Sequence, residues 1–180
     1  WKALDMNDRV KVVETLLQSE FGNVRTSVGH CYRHFSRQEI ALLMPAIHKA
    51  VEFQAPSGTM FGGGVRLQGL RVLTECNIKE GMEAGVKWTI RMPGWGNWYR
   101  KTRGLPVLAN YGTALKEYLP EIEAVVEPMI ESIKKKNPDD RWLKRLEGSL
   151  AKIRTSPAPE LVAIQEFQKL VLESKKKRER

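Results

Sequence analysis

The sequence predicts an all-α chain, an array of stacked helical hairpins wound into a right-handed solenoid. Three observations lead there. Apolar residues recur at three- and four-residue spacing in nearly every segment between chain breakers. No segment alternates apolar and polar residues at period two with turn chemistry on both sides, so no sheet is expected. Short motifs also repeat at an interval suited to a helix pair: Gly69-Leu70-Arg71-Val72-Leu73 returns as Gly104-Leu105-Pro106-Val107-Leu108, an offset of 35 residues. Met44-Pro45-Ala46-Ile47 and Leu119-Pro120-Glu121-Ile122 match at an offset of 75, near two such periods. Helix pairs every ~35–45 residues characterise solenoids, and roughly eight or nine helices in about four hairpins fill this chain.

In chain order, Asn7 or Asp8 is expected to cap a first helix with the stripe Val12, Val13, Leu16 and Leu17. Phe21-Gly22-Asn23 breaks it, and a second helix covers 24–35. Ser36 with Glu39 forms a capping box for a third, whose stripe is Ile40, Leu43, Ile47 and Val51. Proline, serine and glycine within 54–59 interrupt the chain again. From Val65, the residues Leu67, Leu70, Val72 and Leu73 form the next stripe, which ends at Cys76-Asn77. A helix over about 79–91 and a loop at 92–97 follow, then helices at about 98–110, 113–134 and 138–154. Asn137-Pro138 supplies the cap and first-turn proline of the last of these. Ser156-Pro157 opens a final helix carrying Leu161, Ile164, Phe167 and Leu170. A proline inside a helix costs about 3 kcal/mol, so Pro45, Pro106, Pro120 and Pro128 read as kinks tolerated within a repeated unit.

The runs Leu43-Met44-Pro45-Ala46-Ile47, Pro-Ser-Gly-Thr-Met-Phe at 56–61 and Val-Arg-Leu-Gln-Gly-Leu at 65–70 resemble the HEAT-like helical segments of large, mostly uncharacterised bacterial multidomain proteins. The resemblance covers about residues 5–135. It implies a single HEAT-like repeat domain over 1–173, followed by a basic tail at 174–180. It also implies a concave helical face that binds a protein partner. The triple glycine at 62–64 is looser than a usual repeat turn.

Composition narrows the function classes. A chain of 180 residues with 42% hydrophobic and 28% charged residues suits a packed domain or one open helical array, not a disordered or fibrous chain. No apolar run approaches the ~20 residues that span a bilayer. The chain starts at Trp1 without a signal-peptide pattern and reads as an excised piece or a mature product, which leaves the compartment open. Cys31 and Cys76 sit amid apolar neighbours and read as buried free thiols. The net charge is +9, of which residues 174–180 carry +4.

Catalytic signatures are sought without success. Gly62-Gly63-Gly64 lacks the lysine and hydroxyl of a phosphate-cradling loop, because Val65-Arg66 follows it. It reads instead as a hinge at a hairpin turn. His30 and His34 stand one helical turn apart and could share a metal with His48 or Cys76, but Cys31 occupies the place of a zincin glutamate. The plainer reading is a polar edge beside the core. No Gly-x-Ser-x-Gly elbow exists, and Glu52, Glu75 and Glu83 are spread over amphipathic faces. No catalytic residue, cofactor or metal is therefore predicted. Lys134-Lys135-Lys136 closes a helix, where the dipole favours cations.

The most distinctive chemistry is the stretch RMPGWGNWYRKTR at 91–103. Arg91, Trp95, Trp98, Tyr99, Arg100, Lys101 and Arg103 are the candidate contacts to nucleic acid or another anionic ligand, with aromatic faces for stacking and cations for phosphates. Alternatively Trp98 and Tyr99 plug a gap between repeats above Trp88, leaving Trp95 the most exposed. The expected role is a non-catalytic scaffold or protein-interaction module within a larger protein. Its loops at 54–64 and 92–97 form one rim. Nucleic-acid binding through 91–103 and the tail is the second reading, and an accessory domain of a hydrolase the third.

Overall fold

The computed structural model describes residues 4–52, 62–94 and 96–176. The chain is all-helical, with no β-strand among the described residues. Helix α1 (Met6–Leu17) is followed by α2 (Gly22–Cys31), which tightens into a 3-10 turn at Tyr32–His34, and by α3 (Arg37–Glu52). Helix α4 (Gly62–Glu75) leads to α5 (Glu80–Val86), which widens into a π-helical turn at Lys87–Arg91. The short α6 (Asn97–Tyr99) passes through a second π-helical turn, Arg100–Gly104, into α7 (Leu105–Leu108). A 3-10 stretch, Ala109–Tyr118, bends at Gly112 before α8 (Leu119–Lys136), α9 (Arg141–Thr155) and α10 (Ile164–Lys176). No helix among the described residues is long and apolar enough to cross a membrane.

Local signals explain most of these elements. The capping box is present: Ser36 N–H donates to the Glu39 carboxylate at 2.8 Å, and Glu39 N–H donates to Ser36 Oγ at 3.2 Å. Arg9 of α1 adds an ion pair to the same carboxylate at 2.7 Å, tying the first helix to the third. All four expected stripe residues of α3, and all four of α4, are buried. Asn77 ends α4 in the left-handed region at φ 54°. Pro45 and Pro128 lie inside helices, but Pro106 and Pro120 take first-turn positions, where a missing N–H costs nothing.

Several boundaries differ from the sequence reading, each for a physical reason. Asp5, not Asn7 or Asp8, caps α1, accepting from Asp8 N–H at 2.9 Å. The buried stripe of α1 is Val10, Val13 and Leu17, while Val12 and Leu16 face outward. Asp140, not Asn137, caps α9 through Trp142 N–H at 2.7 Å. The helix expected from 113 runs first as a 3-10 turn after the break at Gly112 (φ 54°, ψ −138°) and becomes α-helical at Leu119. The final helix starts at Ile164 rather than near Ser156: Pro157 and Pro159 lack amide donors and bias the residues before them away from helix. Gly62–Gly64 is the first turn of α4, with no positive φ among these glycines. The hinge is therefore a close helix contact: a Cβ on Gly64 would stand 2.5 Å from Thr26 of α2. The expected break at 54–59 lies outside the described residues.

Helix α4 is the centre of the molecule, because opposite faces of it feed two cores. Val65, Val72 and Leu73 join α1, α2, α3, α10 and Ala84 of α5, whereas Leu67 and Leu70 join Val86 of α5 with α7, α8 and α9. After α9 the chain returns across the molecule. Val162 pairs with the turn after α4, accepting from Lys79 N–H at 2.9 Å and donating to Asn77 O at 3.0 Å. Ile164 N–H donates to the Glu80 carboxylate at 3.1 Å, so a residue of α5 caps α10. Phe167 and Val171 then enter the first core, and Gln168 Nε2 donates to Ala41 O at 2.9 Å. That bond spans 127 residues, outside the neighbour-only contacts of a linear stack.

Candidate functional site

The stretch at 91–103 divides between solvent and interior. Arg91 closes its π-helical turn with Nε and Nη2 on Glu121 (2.9 and 2.7 Å) and Nη1 on Glu83 (2.5 Å). Glu121 in particular holds this guanidinium still more firmly protonated than usual. Trp95 lies outside the described residues. Trp98 and Tyr99 stand on the surface, 47% and 39% exposed, although an edge of the Tyr99 ring meets Gly63 at the start of α4. Arg100 and Lys101 point inward and are each only 2% exposed. Arg100 Nη2 donates to Met92 O at 2.7 Å and Gly94 O at 3.2 Å, bracing the loop from within. Lys101 Nζ donates to Thr89 O at 3.3 Å and to Asn97 Oδ1. Burial, then the charge of Arg100, pulls the Lys101 ammonium down to about 8.

Two cations of this stretch reach aromatic rings outside it: Arg91 lies 5.8 Å from the centre of the Tyr118 ring, and Arg103 approaches Trp142. The Arg103 guanidinium lies 4.7 Å from the ring centre of Trp142 on α9, where Arg141 (4.8 Å) and Arg145 (5.7 Å) approach the same ring. Each such exposed contact is worth about 0.5–1 kcal/mol. Three cations around one half-buried indole make a basic, aromatic patch. The sequence reading missed Trp142, Arg141 and Arg145. The readable signal was the four-residue spacing of two arginines around a tryptophan, but pairing it with Arg103 required the α9 packing.

The two histidines do not share a site. His30 lines a cleft between α2, α3 and α4, while His34, beyond the 3-10 turn, lines an apolar groove between α1 and α2. His34 Nε2 accepts from Arg33 Nε at 3.0 Å. No three His, Cys, Asp or Glu residues among the described ones are placed to hold a metal ion. Cys31 is exposed, contrary to the expected buried thiol, and Cys76 is half-buried.

The groove, of about 350 Å³, is lined by Val13, Leu16, Val28, Cys31, His34 and Phe35. Val12 of α1, 41% exposed, and Phe21, just before α2 and 69% exposed, are further apolar surface of this helix pair. The cleft is larger, about 640 Å³, and more polar, with arginines from three elements. On its lining, Tyr32 is 4% exposed and its hydroxyl has no hydrogen-bond partner among the described residues. Burial pushes that phenol well above its ordinary range.

Comparison of the chain with protein-family models, curated proteins and solved structures finds no match.

Proposed function

We propose that the chain is a non-catalytic helical scaffold within a larger protein, built from HEAT-like stacked hairpins, and that it binds a protein partner at the end formed by α1 and α2. The observation that carries this reading is the apolar groove with exposed Leu16 in its lining, on a helix pair that also exposes Val12 and Phe21, large side chains that water solvates poorly. Neighbour packing of α1 with α2 and α3, of α3 with α4 and of α8 with α9 supports the hairpin stack. The occupant that fits is an amphipathic helix with acidic flanks. Its leucine stripe would enter the groove, and its carboxylates would meet exposed cations of the adjoining elements, such as Lys11 of α1 and Arg33 of the 3-10 turn. The test is anisotropy with a labelled helical peptide of that pattern and with a scrambled control. Saturable binding that Leu16→Glu and Phe21→Glu each weaken by tenfold or more, about 1.4 kcal/mol, is expected. Equal binding of the scrambled peptide, or indifference to both substitutions, would remove the reading.

A second reading, binding of a nucleic-acid strand, is favoured by one observation: the three arginines around Trp142, with Trp98 and Tyr99 exposed on α6, just before the turn that carries Arg103. Oligonucleotide anisotropy across a salt series, on the whole chain and on one ending at Glu173, tests it. Binding through the patch survives loss of the tail, weakens steeply with salt and drops in Trp142→Ala. Binding that disappears with the tail is nonspecific charge and counts against it.

A further inference from the structure

We propose that the cleft between α2, α3 and α4 is a binding site for a small organic phosphate, a phosphate monoester with an apolar body. The site does not depend on the groove or on the Trp142 patch. Three guanidiniums from three separate elements line it: Arg33 in the 3-10 turn, Arg37 at the start of α3 and Arg71 on α4. None of the three forms an ion pair among the described residues. Arg33 Nε donates to the His34 ring, Arg37 lies 5.6 Å from the centre of the Phe167 ring, and Arg71 Nη1 donates to Gln68 Oε1 at 3.2 Å. All three are on the exposed rim, so an incoming ligand meets them without unfolding anything.

Charge and shape select the ligand. Among the described residues Glu75 is the one carboxylate in the lining, which leaves a net of two positive charges there, matched by a dianion rather than a monoanion. Planar guanidinium forks suit phosphate oxygens, to which they can donate in pairs. Below the rim the wall turns apolar with Ile40 and Val72, both buried, and ends at half-buried Cys76. The volume of about 640 Å³ falls among small-molecule sites, typically about 300–1,000 Å³. The Tyr32 hydroxyl, without a partner among the described residues, is a further donor under the floor. The walls are stiff: α2 and α4 approach so closely that a Cβ on Gly29 would stand 3.2 Å from Val65 Cα.

Phenyl phosphate is the probe, titrated by calorimetry at low salt into the whole chain carrying Cys31→Ser. The alkylation rate of Cys76 is followed in parallel as a reporter inside the cleft. The expected result is saturable binding that slows Cys76 alkylation. Arg71→Ala and Arg37→Ala should each weaken it by roughly tenfold, the loss of one charge-assisted hydrogen bond. Benzoate, with one charge, should bind more weakly, and Arg145→Ala should bind phenyl phosphate as the parent does. The proposal is overturned by no saturable binding to a chain with an unchanged helical spectrum, or by binding that ignores both cleft substitutions. It is likewise overturned by benzoate binding as tightly, or by Arg145→Ala abolishing binding, which would move the site to Trp142.

Discussion

Replacing Gly112 by alanine tests how the C-terminal third is fastened to the rest of the chain. Gly112 holds φ 54° and ψ −138°, a backbone state that glycine adopts and alanine resists. That conformation alone costs about 1–3 kcal/mol for a residue with a side chain. The new Cβ would also stand 2.5 Å from Ser156 O and 2.8 Å from Pro157 O, closer than real Cβ atoms come. Both are backbone atoms of the segment that follows α9, so no rotamer change relieves the overlap. Moving that segment strains the bond from Thr113 N–H to Ser156 O (2.9 Å), and overpacking of this kind costs about 1–3 kcal/mol more. The sum is about 2–6 kcal/mol, a large share of the stability of a typical domain. Urea denaturation followed by circular dichroism measures it as a lower midpoint at unchanged slope. Gly148→Ala is the control. Gly148 is exposed within α9 with nothing within 4 Å of its added Cβ, so alanine there should stabilise by about 0.5–1 kcal/mol. A Gly112→Ala loss below about 1 kcal/mol would refute the argument, since backbone strain alone should reach that.

Tyr111→Phe removes the hydroxyl that donates to Ile78 O at 2.7 Å; Gly81 N–H still reaches that carbonyl, so thermal denaturation should register a loss of about 1 kcal/mol. Burial would raise the Glu39 carboxyl, but the Ser36 backbone N–H and hydroxyl, together with Arg9, outweigh it and hold the group below its ordinary range. Its stabilisation is therefore complete above the ordinary carboxylate pKa and lost as pH falls through the lowered folded value, and Glu39→Gln should flatten that acid limb in a pH series of denaturation midpoints. Lys101 is lowered too, but by burial that disfavours its charge: the native state holds fewer protons than the unfolded one between about 8 and 10.5, so stability should rise with pH across that more alkaline window, and Lys101→Met should abolish the rise. Arg91→Ala should cost only about 0.5–1 kcal/mol, and less at high salt, because its ion pairs with Glu83 and Glu121 are exposed.

The helices that sequence places best are those whose signals are local. Ser36 and Glu39 are three residues apart and reach each other without help, and the stripes of α3 and α4 admit one buried face each. Helix α1 has apolar residues at 10, 12, 13, 16 and 17, which allow two adjacent stripes, and only packing against α3 decides for 10, 13 and 17. The return of 156–163 across the molecule was not readable either, because its partners Asn77, Lys79 and Glu80 lie about eighty residues upstream. At 91–103 the residue types were legible as a cluster of cations and aromatics. Their directions were not, since a π-helical turn rotates Arg100 and Lys101 inward while leaving Trp98 and Tyr99 outside.

The acceptors chosen by the interior cations explain why so basic a segment is used for folding. Arg25 donates to Ser19 O, just past the end of α1, and Arg66 Nε to Val51 O at 3.1 Å, in the last turn of α3. Lys101 donates to Thr89 O, and Arg100 to Met92 O, at the end of the π-helical turn that extends α5. Each cation thus meets carbonyls at the C-terminal end of another helix, where the last turn has no intrahelical donors and the dipole is negative. The close contacts of α4 with Thr26 and Tyr99 bring three of these elements together, so that the charges of Arg25 and Arg100 add to burial in holding Arg66 down to about 10. Like charges are tolerated there because each lies against the negative end of a helix. A sequence-level count of cations therefore overstates what this segment offers to an anion, and Arg103, beside Trp142, is the member that remains on the surface with further arginines around it.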